Sequence, residues 1–166
     1  MPNSNTFEIP VIRDLVQGYL AKSTVSVDPF ARNKRWATHT NDLNPKTEAE
    51  HHLEAREFLQ LLVNQKVQAD FVLFDPPYSP RQISECYTAA GLTAGMKETQ
   101  NAALYKGCRD RINLIALPGC VALCFGCNSC GMGGRWGIEE ILLVAHGGAH
   151  NDTICTVCRL PEDPIG

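Results

Sequence analysis

The feature that most restricts the fold is a short, wholly apolar run that ends at a pair of prolines. Phe71-Val72-Leu73-Phe74 is followed directly by Asp75-Pro76-Pro77-Tyr78. A continuous apolar run of this length is typical of a strand that is covered on both faces, as in a parallel sheet. Because proline has no backbone N–H, the pair prevents the strand from continuing. The run therefore predicts a central strand of an α/β sheet with a stiff turn at its carboxyl end.

The rest of the chain alternates between helical and strand patterns. Helical patterns cover 9–20, a segment that opens at a Thr47–Glu50 capping box, 79–87 and 97–116. Strand patterns cover 24–27, 36–40, 71–74, 120–125, 138–145 and 153–159. The order α-β-β-α-β-α-α-β-β-β predicts one α/β domain over residues 1–166. We expect its sheet to be mostly parallel, with a C-terminal antiparallel hairpin.

Composition excludes several classes of protein. A chain of 166 residues with 44 % hydrophobic and 20 % charged residues is neither disordered nor fibrous. Its 15 basic and 18 acidic residues give a net charge of −3, so a nucleic acid would need a local basic patch. The N-terminal residues show no basic stretch followed by an apolar one, and the longest apolar region, 112–125, is interrupted. We therefore expect a cytoplasmic protein.

Three acidic residues follow three successive predicted strands. They are Asp28, Asp42 and Asp75. In an open α/β sheet, ligands bind beyond the carboxyl ends of the strands, so we expect these side chains at one edge. A carboxylate after the second strand can accept hydrogen bonds from both hydroxyls of a ribose.

The segment Asp75-Pro76-Pro77-Tyr78 suits the methylation of an exocyclic amine. Such an amine is a poor nucleophile, because its lone pair is delocalised into the base. Two acceptors, the Asp75 carboxylate and the Pro76 carbonyl, can bind its hydrogens and take up the developing positive charge. The prolines stiffen the turn, and the Tyr78 ring offers a flat surface for an extruded base, worth about 1–3 kcal/mol per base.

An apolar strand that runs into Asp75-Pro76-Pro77-Tyr78 resembles the amino-methyltransferases of nucleic-acid bases, which methylate adenine N6 or cytosine N4 with S-adenosylmethionine. The small adenine-specific DNA methylases of phages and prophages are most similar, also over the tail that begins Ile138-Glu139-Glu140. The resemblance implies a Rossmann-like class I methyltransferase domain without a separate target-recognition domain. It also implies that Asp28, Pro29, Phe30 and Asp42 bind the cofactor, and that Asp75, Pro76, Pro77 and Tyr78 hold the target amine.

The chain departs from that family after Phe30. The family's cofactor loop usually reads Phe-x-Gly-x-Gly, whereas this loop reads Phe30-Ala31-Arg32-Asn33-Lys34. Together with the next residue, the loop forms a local basic patch of Arg32, Lys34 and Arg35. The patch is a candidate contact for the phosphates of a nucleic acid, or else an ordinary solvated loop.

Two Cys-x-x-Cys pairs, Cys127/Cys130 and Cys155/Cys158, have the composition of a zinc site. The second pair lies in a predicted strand, where residues three apart point to opposite faces. We therefore favour no metal site and keep zinc as the alternative.

These patterns favour methyl transfer from S-adenosylmethionine to a base amine, with N6 of adenine in DNA as the first choice. Cytosine N4, an RNA base, a protein glutamine and a small-molecule amine pose the same chemical problem and remain open. A non-catalytic, zinc-containing binding subunit with this fold is the alternative from another class. A homo-oligomer or a separate recognition subunit would compensate for the lack of a recognition domain.

Overall fold

A computed structural model describes residues 6–77, 79–93, 101–126, 128–145 and 152–162. A single 3₁₀ turn at Thr6–Glu8 precedes the regular elements. These are, in chain order, α1 (Pro10–Leu20), β1 (Ser26–Asp28), β2 (His39–Thr40), α2 (Ala55–Asn64), β3 (Ala69–Phe74), α3 (Pro80–Ala89), α4 (Asn101–Ile115), β4 (Ala116–Gly126), β5 (Gly137–Val144) and β6 (Thr153–Arg159). The order of helices and strands is the predicted one. Within the described residues, no helix is both long and apolar enough to cross a membrane.

The strands form one six-stranded sheet in the order β2-β1-β3-β4-β6-β5. Strands β1 to β4 pair in parallel, and β6 lies antiparallel between β4 and β5. The predicted α/β class, with a mostly parallel sheet and a C-terminal antiparallel hairpin, is confirmed. Because β1 to β4 are parallel, their last residues lie at one edge, which we call the carboxyl edge. The start of β6 lies there too, since Ile154 pairs with Gly126.

Helices cover both faces of the central strand β3. On one face, Ile12 and Val16 of α1 pack with Phe71 and Leu73. On the other face, α2, α3 and α4 pack against Val72 and Phe74 through three buried side chains, Phe58, Ile83 and Ile112. Each buried side chain of this size contributes about 1.5–3 kcal/mol. This two-sided burial explains why the sequence of β3 is apolar at every position from 71 to 74.

The second helix begins later than the sequence predicts. The expected capping box at Thr47 is wrong, because the Thr47 hydroxyl donates to the Asn44 carbonyl (2.9 Å) and α2 begins only at Ala55. The Glu54 side chain caps α2 by accepting from the backbone N–H of Arg56 (2.9 Å). The segment before it is held instead by a bridge between Asn41 and His51, a long-range pairing that local spacing does not reveal.

Candidate active site

The three predicted carboxylates meet at the carboxyl edge. Asp28 ends β1, Asp42 follows β2 and Asp75 follows β3; Asp28 is 2 % exposed and Asp75 5 %. Burial raises the pKa of Asp28 well above its ordinary value, and the charges of Asp75 and Asp42 raise it further. The backbone N–H of Phe30, which donates to Asp28 Oδ1 at 3.0 Å, acts in the opposite direction. Each of the other two acids is therefore close enough to influence Asp28.

Asp42 joins the loops that follow β1 and β2. Its carboxylate accepts from the backbone N–H of Arg32 (3.1 Å) and from that of Asn44 (2.8 Å). Burial raises the pKa of Asp42, and these two hydrogen bonds oppose the rise. A carboxylate has about four acceptor positions, so Asp42 can still bind hydroxyls of a ligand.

A buried amide that the sequence analysis missed holds the same loops in place. Asn41 is 1 % exposed, and its Nδ2 donates to the carbonyls of Pro29 (3.2 Å) and Leu53 (3.0 Å). Its Oδ1 accepts from the backbone N–H of Leu53 at 2.9 Å. The only sequence signal is a polar residue between a strand and its acid, which also fits an ordinary turn.

A narrow cleft of about 50 Å³ opens between these loops and α3. Phe30, Asp42 and Leu43 line one side of it, and Pro77 and Cys86 are among the residues of the other. Pro29 also lines it, whereas Asp28 is not among its lining residues. Pockets that hold small molecules usually measure about 300 Å³ or more, so α3 or the loops must move before such a ligand enters.

A second and larger concavity, which we call the wide cavity, lies between α4 and a wall formed by Gly126 and residues of the segment 128–134. Its volume is about 540 Å³, and its walls include Phe74, Tyr105 and Phe125. The opposite wall contains glycines that the sequence analysis did not single out, Gly126, Gly131, Gly133 and Gly134. Phe74 lines the wide cavity, and Pro77, three residues later, lines the narrow cleft. The segment that carries Asp75 therefore connects the two concavities.

The segment Asp75–Pro77 is mostly enclosed. Asp75 and Pro76 are buried and Pro77 is half-buried. The charge of Asp75 raises the pKa of Asp28 and also contributes to raising that of Cys155, chiefly raised by burial to about 12. Tyr78, predicted to stack on a base, lies outside the described residues. A substrate would reach the Asp75 carboxylate only after a local opening.

The basic patch is joined to the narrow cleft through Arg32, whose backbone N–H donates to Asp42. Arg32 and Arg35 are exposed, and Arg32 has a left-handed backbone with φ of 51°. Lys34 Nζ lies 5.2 Å from the Trp36 ring centroid and 3.8 Å from Glu8 Oε1, so part of its charge is already compensated. Two of the three predicted phosphate contacts are thus open to solvent.

The structure separates the members of the second Cys-x-x-Cys pair. Cys155 packs in the core on the α1 side of the sheet, and Cys158 in the core on the α4 side. The two thiols cannot bind one metal ion from opposite faces, and Cys127 lies outside the described residues. Among the residues described, no group of three or more His, Cys, Asp or Glu side chains could hold a metal.

Cys158 instead forms a thiol pair with Cys124. A hydrogen bond from Cys124 lowers the pKa of Cys158 to about 7, against the effect of burial. Cys158 Sγ also accepts from the backbone N–H of Met132 at 3.4 Å. This contact fixes the glycine-rich wall of the wide cavity to β6.

The fold is similar to that of solved methyltransferases. No protein-family model matches the chain, and no curated protein matches its sequence. The protein SMU.776, assigned as a methyltransferase and crystallised with SAH, superposes over 88 % of this chain with a TM-score of 0.57 and 9 % identity. The N-methyltransferase NodS from Bradyrhizobium japonicum superposes over 97 %, with a TM-score of 0.56 and 12 % identity. YhhF from Escherichia coli, also assigned as a methyltransferase, covers 97 % with a TM-score of 0.52 and 12 % identity.

This chain spans 49 % of SMU.776, but 100 % of NodS and 88 % of YhhF. At such low identities, the likeness shows the fold alone. The chain has the Rossmann-like fold of the class I, S-adenosylmethionine-dependent methyltransferases.

Proposed function

We propose that this chain transfers a methyl group from S-adenosylmethionine to the exocyclic amine of a nucleic-acid base, with N6 of adenine in DNA as the target. The observation that carries the proposal is the position of Asp75-Pro76-Pro77 between two concavities. One is a narrow cleft with a carboxylate and apolar walls, and the other is a cavity of about 540 Å³ with aromatic walls. Two reactants need two adjoining sites, and the resemblance at Asp75–Tyr78 names the reaction.

The residues of the narrow cleft fit an adenosyl group in chemistry. Phe30 and Leu43 supply apolar surface for a base, and Asp42 supplies acceptors for ribose hydroxyls. Asp28 is buried beneath the loop that follows β1 and stabilises it by accepting from the backbone N–H of Phe30. When bound, S-adenosylmethionine supplies a methyl group activated by a positively charged sulfur.

Asp75 and Pro76 act on the amine. The carboxylate and the Pro76 carbonyl accept its two hydrogens, orient its lone pair and stabilise the positive charge that develops as the C–N bond forms. Asp75 need not be a strong base, since the proton leaves the amine late in the transfer or after it. The half-buried Tyr105 ring in the wall of the wide cavity suits a flat, extruded base.

Cytosine N4, an RNA base, a protein glutamine and a small-molecule amine remain the alternative substrates, because each presents a nitrogen whose hydrogens the same two acceptors can bind. The zinc-containing binding subunit is weakened by the opposite facing of Cys155 and Cys158. Calorimetry with S-adenosylmethionine separates an enzyme, which binds it in the micromolar range, from such a module.

The decisive experiment is incubation with methyl-labelled S-adenosylmethionine and unmethylated DNA or RNA, followed by digestion to nucleosides. We expect the label in N6-methyldeoxyadenosine, and Asp75→Ala serves as the matched inactive control. Label in another nucleoside would identify a different base, or RNA instead of DNA, as the target. No label in any nucleic acid, together with no binding of S-adenosylmethionine, would refute the proposal.

A further inference from the structure

Helix α4 places one uncompensated cation in the wall of the wide cavity. Two cations of α4, Lys106 and Arg109, line this cavity. Lys106 Nζ is bound to Asp110 Oδ2 at 2.6 Å, one turn away on the same helix. Within the described part of the chain, Arg109 has no carboxylate partner, and its buried Nε has no hydrogen-bond acceptor. Burying a guanidinium N–H without an acceptor is unfavourable in free energy, and an anionic ligand that accepts from this N–H would remove that cost.

The Arg109 side chain is oriented by aromatic contacts. Its Cζ lies 5.5 Å from the Tyr105 ring centroid, a cation–π distance. The Tyr105 ring in turn packs edge-on against Phe74, with 5.8 Å between the centroids. Phe74 immediately precedes Asp75. The guanidinium is therefore linked through two rings to the strand end that carries the proposed catalytic carboxylate.

The Cys158 thiol near Arg109 already has other partners. The charge of Arg109 contributes to the lowered pKa of Cys158, but the hydrogen bond from Cys124 is the main cause. The backbone N–H of Met132 contacts the same sulfur. Cys158 thus has its own partners, and the fork of the Arg109 guanidinium is left for an anion from outside.

We propose that Arg109 binds a phosphate group of the substrate in the wide cavity, next to the base that receives the methyl group. The inference rests on the proposed function and narrows its substrate class to nucleotides. A planar guanidinium matches the oxygens of a phosphate in pairs. The cavity of about 540 Å³ is within the usual range for ligands of this size, and its glycine wall lets a ligand approach the backbone closely. The phosphate belongs either to a free mononucleotide or to a phosphodiester of a strand.

The test compares ligands with and without a phosphate on the intact chain. Calorimetry measures the binding of deoxyadenosine, of deoxyadenosine 5′-monophosphate and of a short single-stranded DNA that contains one adenine. We expect at least one phosphate-bearing ligand to bind ten or more times more tightly than deoxyadenosine. The tighter of the two identifies the source of the phosphate.

Two matched variants assign that preference to a residue. Arg109→Gln should lose it, whereas Arg111→Gln, which removes a cation of the same helix that does not line this cavity, should keep it. In the unmodified protein, the Arg109 Nε–H signal in ¹H–¹⁵N spectra should move on addition of the phosphate-bearing ligand. This second measurement stands even if Arg109→Gln fails to fold.

The proposal is overturned if the unmodified protein shows no preference for phosphate, or if Arg109→Gln keeps it. It is also overturned if the Nε–H signal does not respond. Binding of S-adenosylmethionine, measured separately, tests the proposed function. If the protein does not bind S-adenosylmethionine but shows the Arg109-dependent preference for phosphate-bearing ligands, methyl transfer is refuted and the phosphate site is not.

Discussion

The narrow cleft and the wide cavity lie on either side of one strand end and are built in opposite ways. The narrow cleft is closed by side chains such as Phe30 and Leu43, and its loops are joined by Asp42 and Asn41. The wide cavity is bordered by a wall of glycine backbone, which a contact between Met132 and Cys158 joins to β6. The difference suggests that one concavity must open for its ligand, whereas the other is already formed.

The largest effect is expected from a substitution in the segment between the two concavities, Asp75–Pro77. We predict that Asp75→Ala lowers the rate of methyl transfer at least about 10²–10³-fold, because an acceptor for the developing charge is lost. Binding of S-adenosylmethionine should change little, since Asp75 does not line the narrow cleft in the structure. Removing the Asp75 carboxylate also takes away one of the charges that raise the pKa of Asp28. Methyl transfer at the unmodified rate would remove Asp75 from the mechanism.

A substitution in the glycine wall of the wide cavity, which contains Gly126, Gly131, Gly133 and Gly134, can disrupt that cavity without changing the narrow cleft. In Gly131→Ala, the new Cβ would overlap Cys158 Sγ and lie 3.0 Å from Thr156 Cγ2, at a backbone φ of +52°. We expect a loss of about 2–4 kcal/mol in the free energy of unfolding, from steric overlap together with the left-handed backbone. Denaturant unfolding measures it.

Gly133→Ala is the control for this change. Its φ is also positive, at +64°, but its Cβ would meet no atom within 4 Å. It should cost about 0.5–1 kcal/mol, because the left-handed strain is partly offset by the lower entropy of the unfolded chain. Equal losses for the two variants would show that the contact with Cys158 does not matter.

The narrow cleft is tested through Asp42. Asp42→Ala should weaken binding of S-adenosylmethionine by about 1.5–3 kcal/mol, the usual contribution of hydrogen bonds to a charged group. Calorimetry checks this, and binding of nucleotide phosphate in the wide cavity serves as the internal control. If Asp42→Ala leaves the affinity for S-adenosylmethionine unchanged, the ribose does not bind there. If it weakens both ligands equally, the loops rather than one cleft have been disrupted.

The sequence predicts the narrow cleft better than the wide cavity for a physical reason. Parallel strands bring their carboxyl ends to one edge, so an acid that follows each strand can be placed from the chain order alone, as with Asp28, Asp42 and Asp75. The contacts of Asn41 with Pro29 and Leu53 depend on three loops that meet only after folding. The same holds for the glycine wall, which packs against Cys158, 27 residues after Gly131 in the chain.

The late start of α2 shows the same limit. The Thr47–Glu50 spacing satisfies a local rule, but the pairing of Asn41 with His51 holds this part of the backbone outside a helix. Local patterns therefore predicted which elements exist and missed where tertiary contacts override them.

The smallest predicted effect concerns the residue where this chain departs from the family that it resembles. Arg32 occupies the first glycine position of the Phe-x-Gly-x-Gly pattern, and its φ of 51° is a conformation that glycine adopts readily. Arg32→Gly and Arg32→Ala both remove the side chain, so their difference reports the backbone alone. We expect the glycine variant to be more stable by about 0.5–1 kcal/mol, because relief of the left-handed strain exceeds the greater entropy of its unfolded chain.

Lys66 follows α2 and has a similar left-handed backbone, with φ of 58°. The same two substitutions at Lys66 therefore separate an effect on stability from an effect on binding of S-adenosylmethionine. Lys66→Gly and Lys66→Ala should differ in stability by a similar amount, and neither should alter binding of S-adenosylmethionine. If Arg32→Gly also binds S-adenosylmethionine more tightly than Arg32→Ala, the strained loop limits entry into the narrow cleft. Equal affinities would place the restriction at α3 instead, because that helix forms the other side of the cleft.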